Sequence, residues 1–251
     1  MPRLASLTNS GLTSRGITSS VSAAGGLTGV KDLVSGTTVL SASLPSGMTL
    51  SNSQTKNSVS YSMAFSGTQT STLKFTNAGF GTYPVTIEYW AYITSTNTVA
   101  PLALNNTTTT QSAILQSSAT AGGSGSGYFP LVSNTTTGST TSYGGGAINT
   151  LATNTWHHFA FTVNVSGTTI TPYLNGVPGV ALTPPGGSYT LQNTNAIALG
   201  GWPYTSILLP MIGYISEVRV SNNIRYTTTF TPPSGYFTID GTTTSLIRSY
   251  T

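Results

Sequence analysis

From Asn57 onward, apolar and polar residues alternate in short runs separated by clusters of Gly, Pro, Asn and Thr. A period of two is what a half-buried strand requires. It predicts strands at Ser60–Phe65, Thr72–Phe75, Val85–Ile93, Ala113–Gln116, Gly127–Val132, Trp156–Val165, Thr168–Leu174, Ala196–Leu199, Ile215–Val220 and Ser245–Tyr250. No segment repeats apolar residues at the i, i+3, i+4 spacing of a solid helix, and the many β-branched residues disfavour one. Short strands between frequent turn signals predict an all-β, antiparallel β-sandwich. Trp156–Val165 and Thr168–Leu174 read as a hairpin joined through Ser166-Gly167, which suits a two-residue turn. Phe159, Phe161 and Val163 share one face of it, and burying each is worth roughly 1.5–3 kcal/mol.

Near the C-terminus, Gly213–Pro233 reads GYISEVRVSNNIRYTTTFTPP. Glu217 and Arg219 point to the same face of a strand. Asn222-Asn223 suits a turn. Arg225-Tyr226 re-enters an extended segment that Pro232-Pro233 ends. An ion pair among Glu217, Arg219 and Arg225 is expected to close this last strand.

Residues 1–56 lack such periodicity and are punctuated by Gly25-Gly26, Gly36 and Pro45-Ser46-Gly47. They are expected to form an extended N-terminal arm or a set of short edge strands, leaving 57–251 as the folded domain. Thr- and Gly-rich tracts at 105–110 and 133–146 read as long loops, which in a sandwich gather where binding takes place.

Charge adds a constraint. Only 5% of the 251 residues are charged, against about 25% in an average protein. The net charge of +4 comes from scattered residues, with Arg3, Arg15, Lys31, Lys56 and Lys74 forming no run. Phosphate recognition needs a clustered basic patch, so no nucleic-acid partner is expected. With no cysteine, disulfides and thiolate chemistry are excluded. The N-terminus has no signal-peptide apolar run and no stretch is apolar enough to insert in a membrane.

Candidate chemistry is sparse. Glycoside cleavage uses two carboxylates flanking the bond, and the chain has only Asp32, Glu88, Glu217 and Asp240. Each is expected to pair with an arginine or backbone amides, and no enzymatic activity is expected. His157 and His158 face opposite sides of a strand and cannot easily share a metal; one is expected to pack beside Trp156 as a structural histidine. Tyr128, Phe129, Tyr143, Trp202 and Tyr204 lie amid Asn, Ser and Thr, a candidate platform for a sugar or for a protein partner, since interfaces are also rich in Tyr and Trp.

Several motifs occur together. The segment Gly213–Pro233, Tyr61–Gly67 (YSMAFSG), Pro84–Tyr92 (PVTIEYWAY), Thr155–Phe161 (TWHHFAF), Tyr173–Gly176 (YLNG) and Ile197–Gly200 (IALG) resemble, in order, the motifs of laminin-G-like, concanavalin A-like jelly-roll domains. Glu88, Trp90, Trp156, His158, Glu217, Arg219 and Arg225 carry that signature. The version with Arg-Tyr-Thr followed by Phe-Thr-Pro-Pro is similar to copies in bacteriophage structural proteins. The resemblance implies a jelly roll in a virion component, head decoration or tail fibre, made in the host cytoplasm. Its arm would hold it to other virion proteins or sister copies in a multicopy or homo-oligomeric assembly. Particle stabilisation or adhesion to host surface glycans would be its role, and a carbohydrate-binding module is the alternative. Many such domains bind Ca²⁺ through loop aspartates, but Ser66 and Asn175 stand where Asp is common. No cofactor is therefore expected, beyond weak Ca²⁺ held by carbonyl oxygens.

Overall fold

A computed structural model describes residues 28–40, 43–68, 70–75, 84–97, 99–106, 114–120, 127–133, 143–144, 148–149, 151–183, 195–203 and 207–250. Of residues 40, 104–149, 195–196 and 202–208 within these spans, it describes the backbone alone. The strands in chain order are β1 (Gly29–Asp32), β2 (Thr38–Leu40), β3 (Met48–Ser51), β4 (Ser62–Ser66), β5 (Leu73–Phe75), β6 (Val85–Ile93) and β7 (Val99–Asn106). Next come β8 (Ile114–Thr120), β9 (Gly127–Ser133), β10 (Tyr143–Gly144), β11 (Ile148–Asn149), β12 (Trp156–Val163), β13 (Ile170–Leu174) and β14 (Val177–Pro178). The last are β15 (Asn195–Leu199), β16 (Trp202–Pro203), β17 (Ile207–Leu208), β18 (Ile212–Ser221) and β19 (Thr243–Tyr250).

The larger sheet has the order β14-β13-β12-β6-β18-β19-β1-β2, with β4 and β3 also attached through β18. One flank of β18 serves two partners, β4 along Ile212–Ile215 and β19 along Glu217–Ser221. The smaller sheet runs β10-β9-β8-β7-β15-β5, with β11 on β9, and β16 pairs β17 separately. All these pairings are antiparallel. The core lies between the two sheets: Ile87, Phe159, Phe161 and Val218 from the larger meet Phe75, Leu102, Ile197 and Leu199 from the smaller, all buried. This is the antiparallel β-sandwich that alternation predicts, and each of the ten expected strands overlaps an observed one.

Residues 28–56 take the second of the two forms expected for the N-terminal segment. They add short strands at the margins of the larger sheet: β1 pairs with β19 and, on its other side, with the edge strand β2, and β3 pairs with β4. The division at residue 56 therefore cuts through the larger sheet. The cause is pairing, since even weakly patterned segments gain backbone hydrogen bonds on an open sheet edge. Residues 1–27 of the expected arm lie outside the described residues. The hairpin turn also differs. Asn164 N–H donates to Thr169 O at 3.0 Å, and the side-chain Oδ1 of Asn164 accepts from the amides of Thr168 and Thr169. The connection is the stretch Asn164–Thr169 between β12 and β13.

On the outer face of the larger sheet, the central strands are buried where an antiparallel sheet commonly meets water. Every residue of β6 is buried except half-buried Tyr92. The cover is residues 222–242, which cross this face without joining a ladder. The exit strand expected at Arg225-Tyr226 is thus not formed. Its side chains bind the sheet instead, with Tyr226 stacked on Phe230 at 3.5 Å between ring centres.

Candidate functional site

Beneath this strap lies a buried polar network centred on Glu88, whose side chain has 0% exposure. Cross-strand register puts Arg219 directly opposite Glu88. Arg219 donates from Nε and Nη2 to Oε1 at 2.9 and 2.7 Å. His158 Nε2 donates to Oε2 at 3.1 Å, and the Tyr226 hydroxyl donates to the same oxygen at 2.7 Å. Burial alone would raise the Glu88 carboxyl; His158, Arg219 and Tyr226 outweigh it and hold the group below its ordinary range. Burial and the Glu88 charge push the Tyr226 hydroxyl up, so it stays a donor.

The other acids are equally committed. Glu217 accepts from the Phe237 amide at 3.0 Å and pairs with Arg248, whose Nε lies 3.0 Å from Oε1. Burial raises its carboxyl despite both contacts. Asp240 receives two contacts from Arg225 Nη2, at 2.9 and 2.7 Å. Thr242 and Arg225 hold Asp240 well below the usual carboxylate range. Asp32 accepts from the amides of Val34 and Leu246 and the hydroxyls of Ser35 and Ser245.

The expected tie among Glu217, Arg219 and Arg225 is therefore corrected: Glu217 pairs with Arg248, Arg219 with Glu88, and Arg225 with Asp240. Residues two apart on a strand are about 7 Å apart, whereas directly opposed cross-strand residues come within about 5.5 Å. The cross-strand partner wins. The expectation that each carboxylate meets an arginine or amides matches what is seen.

Both histidines are structural in geometry. His158 packs edge-on against Trp90, Phe230 and Phe237, and its Nδ1 has no hydrogen-bond partner. A nucleophile triad would need a hydroxyl or thiol at that second nitrogen. His157 Nδ1 accepts from Asn175 Nδ2 at 2.9 Å, which leaves Nε2–H to donate to Ala152 O at 3.0 Å. Burial pushes this imidazole down from 6.5, outweighing the two hydrogen bonds. The fold thus holds His157 neutral, and its contribution is present above about pH 6.5 and lost as pH falls. The melting temperature should drop between pH 7 and 5.5, and drop less in His157→Gln. Equal slopes for the two proteins in calorimetry would reject this assignment.

A different arrangement lies on the same outer face, beyond the strap. Tyr214 on β18, Tyr92 on β6 and Trp156 on β12 are successive cross-strand partners. All three are half-buried. Ring centres are 5.8 Å apart for Tyr214–Tyr92 and 5.6 Å for Tyr92–Trp156, with planes inclined at 79° and 63°. At Gly213 (φ 146°) any side chain would overlap the Tyr92 carbonyl. Glycine there lets β18 close on β6 where the two tyrosines meet. The row continues through Ala64 on β4 to Thr49 on β3. There it opens into a cleft of about 260 Å³ lined by Thr49, Ala64, Ser66, Thr94, Ile212 and Tyr214.

An aromatic strip beside hydroxyl groups on an open sheet face is a surface on which an amphipathic ligand can lie. A laminin-G-type family model, of the concanavalin A-like lectin/glucanases superfamily, matches residues 66–227. The chain belongs to this superfamily. No curated protein matches it. Among solved structures, the superfamily fold is shared with domain 4 of AbnA, a GH43 extracellular arabinanase from Geobacillus stearothermophilus, in complex with arabinotriose. That match has a TM-score of 0.50 at 19% identity and covers 74% of this chain and 77% of that one. The native heptameric SAP-like pentraxin from Limulus polyphemus aligns at 0.51 and 14%, over 65% and 76% of the two chains. The K499G mutant of NanB sialidase from Streptococcus pneumoniae aligns at 0.50 and 12%, over 71% and 28%. At these identities the likeness speaks for the fold alone.

Within this superfamily fold the signature residues Glu88, Trp90, His158, Glu217, Arg219 and Arg225 gather around or under the strap, and Trp156 joins the open row. Tyr128 and Phe129 fall on β9, Tyr143 on β10 and Trp202 on β16, each with backbone alone described, and Tyr204 lies outside the described residues. Tyr92 and Tyr214 were not singled out from the sequence. Both sit at outward positions of strands whose outward residues are mostly covered, so only the register, with the strap's path, distinguishes them.

Proposed function

We propose that this domain is a non-catalytic carbohydrate-binding module whose contact surface is the row Trp156–Tyr92–Tyr214. The row carries the reading: three half-buried rings in register on an open sheet face beside a largely apolar cleft. Pyranose and furanose rings present apolar C–H faces and polar hydroxyl edges, which such a surface complements. The arabinanase domain, solved with arabinotriose, supports the reading at the level of the fold. The commitment of all four carboxylates to structural partners supports a binding rather than a cleaving role, since cleavage needs a free acid and a free base or nucleophile.

Tyr92→Ala and Tyr214→Ala should each weaken affinity for a retained soluble polysaccharide by about ten-fold, roughly 1.4 kcal/mol. Lys74→Ala, on the smaller sheet, should leave it unchanged. Affinity electrophoresis with circular dichroism as the folding control measures this. Retention unaffected by both tyrosine changes would rule the row out.

Display on a phage particle is a second reading, favoured by the Arg-Tyr-Thr and Phe-Thr-Pro-Pro pattern within Gly213–Pro233. In that setting the module would serve adhesion to host glycans. Co-purification with intact particles is its test, and absence from them would remove it.

A further inference from the structure

We infer that the ligand is an uncharged, soluble sugar chain that crosses the strands along the Trp156–Tyr92–Tyr214 row and ends in the Thr49–Thr94 cleft. The inference rests on the carbohydrate-binding reading above and narrows it to a ligand class. Recognition of an acidic glycan, whether sialylated or uronate-rich, uses a cation free to meet the carboxylate. The described cations are engaged elsewhere or lie on distant strands. Arg219, Arg225 and Arg248 are locked in ion pairs under the strap. Lys56 holds its ammonium 4.3 Å from the centre of the Trp90 ring. Lys74 is on β5 of the opposite sheet, and Lys31 is on β1, separated from β6 by β18 and β19. The row and cleft themselves contain aromatic rings, Thr and Ser hydroxyls, Ala64 and the 40%-exposed Ile212. None of these carries a charge, and neutral hydroxyls pair with them without any buried ion being left uncompensated.

Ring attitude excludes a second class. A crystalline polysaccharide surface is flat and needs coplanar aromatic faces, but Tyr92 is inclined at 79° to Tyr214 and at 63° to Trp156. Such rings embrace a single chain from its faces and edges in turn.

The test uses the full chain in affinity electrophoresis against arabinan, dextran, mixed-linkage β-glucan, polygalacturonate and sialylated mucin, with sedimentation on microcrystalline cellulose. At least one neutral soluble polysaccharide should retard the protein. Its affinity should change less than two-fold between about 0.05 and 0.5 M salt, because no screened charge pair contributes. Lys56→Met should leave that retention unchanged, whereas Tyr92→Ala should weaken it about ten-fold. Retention by the acidic polymers alone, weakened by salt or by Lys56→Met yet still dependent on Tyr92, would overturn the ligand class and leave the carbohydrate-binding reading standing. Adsorption to cellulose with no soluble ligand would overturn the single-chain geometry in the same way. No retention by any polymer, or retention indifferent to Tyr92, would sink the binding reading and this inference with it.

Discussion

Glu88→Ala is expected to lower folding stability by about 3–5 kcal/mol, because it strands two buried groups that were arranged around its charge. Arg219 would keep a guanidinium with 7% exposure facing no anion, and His158 would lose its acceptor at 0% exposure. Against a total stability of about 5–15 kcal/mol, that is a large fraction. Urea denaturation should show a lower midpoint, with Glu88→Gln intermediate because it keeps the shape and loses the charge. A loss below about 1 kcal/mol would show that the network is not what fastens the strap. The same experiment separates roles: a folded Glu88 variant should still bind sugar, since the row lies beyond the strap. The depressed Glu88 carboxyl also fixes a pH window. Its contribution is complete above the unfolded value of 4.5 and is lost as pH falls through the lower folded value.

Gly176→Ala is expected to be the second most damaging change. Gly176 has φ +80°, and a methyl group there would overlap the Phe230 carbonyl. Backbone strain alone costs about 1–3 kcal/mol at such a position. Displacing Phe230 also breaks its amide's 2.9 Å bond to the Gly176 carbonyl, about 1 kcal/mol more. The strap should loosen locally before the sandwich opens. Hydrogen exchange should therefore quicken at Phe230 while the amides of β6 and β12 stay protected. Unchanged exchange at Phe230 would mean that the turn and the strap are not coupled.

Much of the fold was legible because its strands obey period two. Val85–Ile93 has the observed bounds, and Phe159, Phe161 and Val163 are fully buried as their spacing requires. The omissions have physical causes. Val99–Asn106 contains Pro101 and does not alternate, so it carries no strand pattern, although Ala198 and its neighbours pair with it. The strands β1, β2 and β3 are only three or four residues long, too short to display an alternation, and owe their form to the edges they join. Partner choice among charges was not legible, because Glu217 and Arg219 look like a pair along the strand but are claimed by residues opposite them. The aromatic row was hidden for a related reason. Its members come from three distant segments, and nothing local says that the strap stops short of them.

The pairing of β1 with β19 has a mechanical consequence. Gly29 and Tyr250 are direct partners at one end of an antiparallel ladder. Tension applied through both would act across the hydrogen bonds and peel them one after another, rather than shear them together. The peel would travel from Gly29 towards Asp32, whose carboxylate is fastened to Ser245 and Leu246. A load carried instead between Tyr250 and a sugar held on Tyr92 would pass through β19, β18 and β6, side by side in the sheet. How hard this domain resists being pulled would thus depend on where the load enters it.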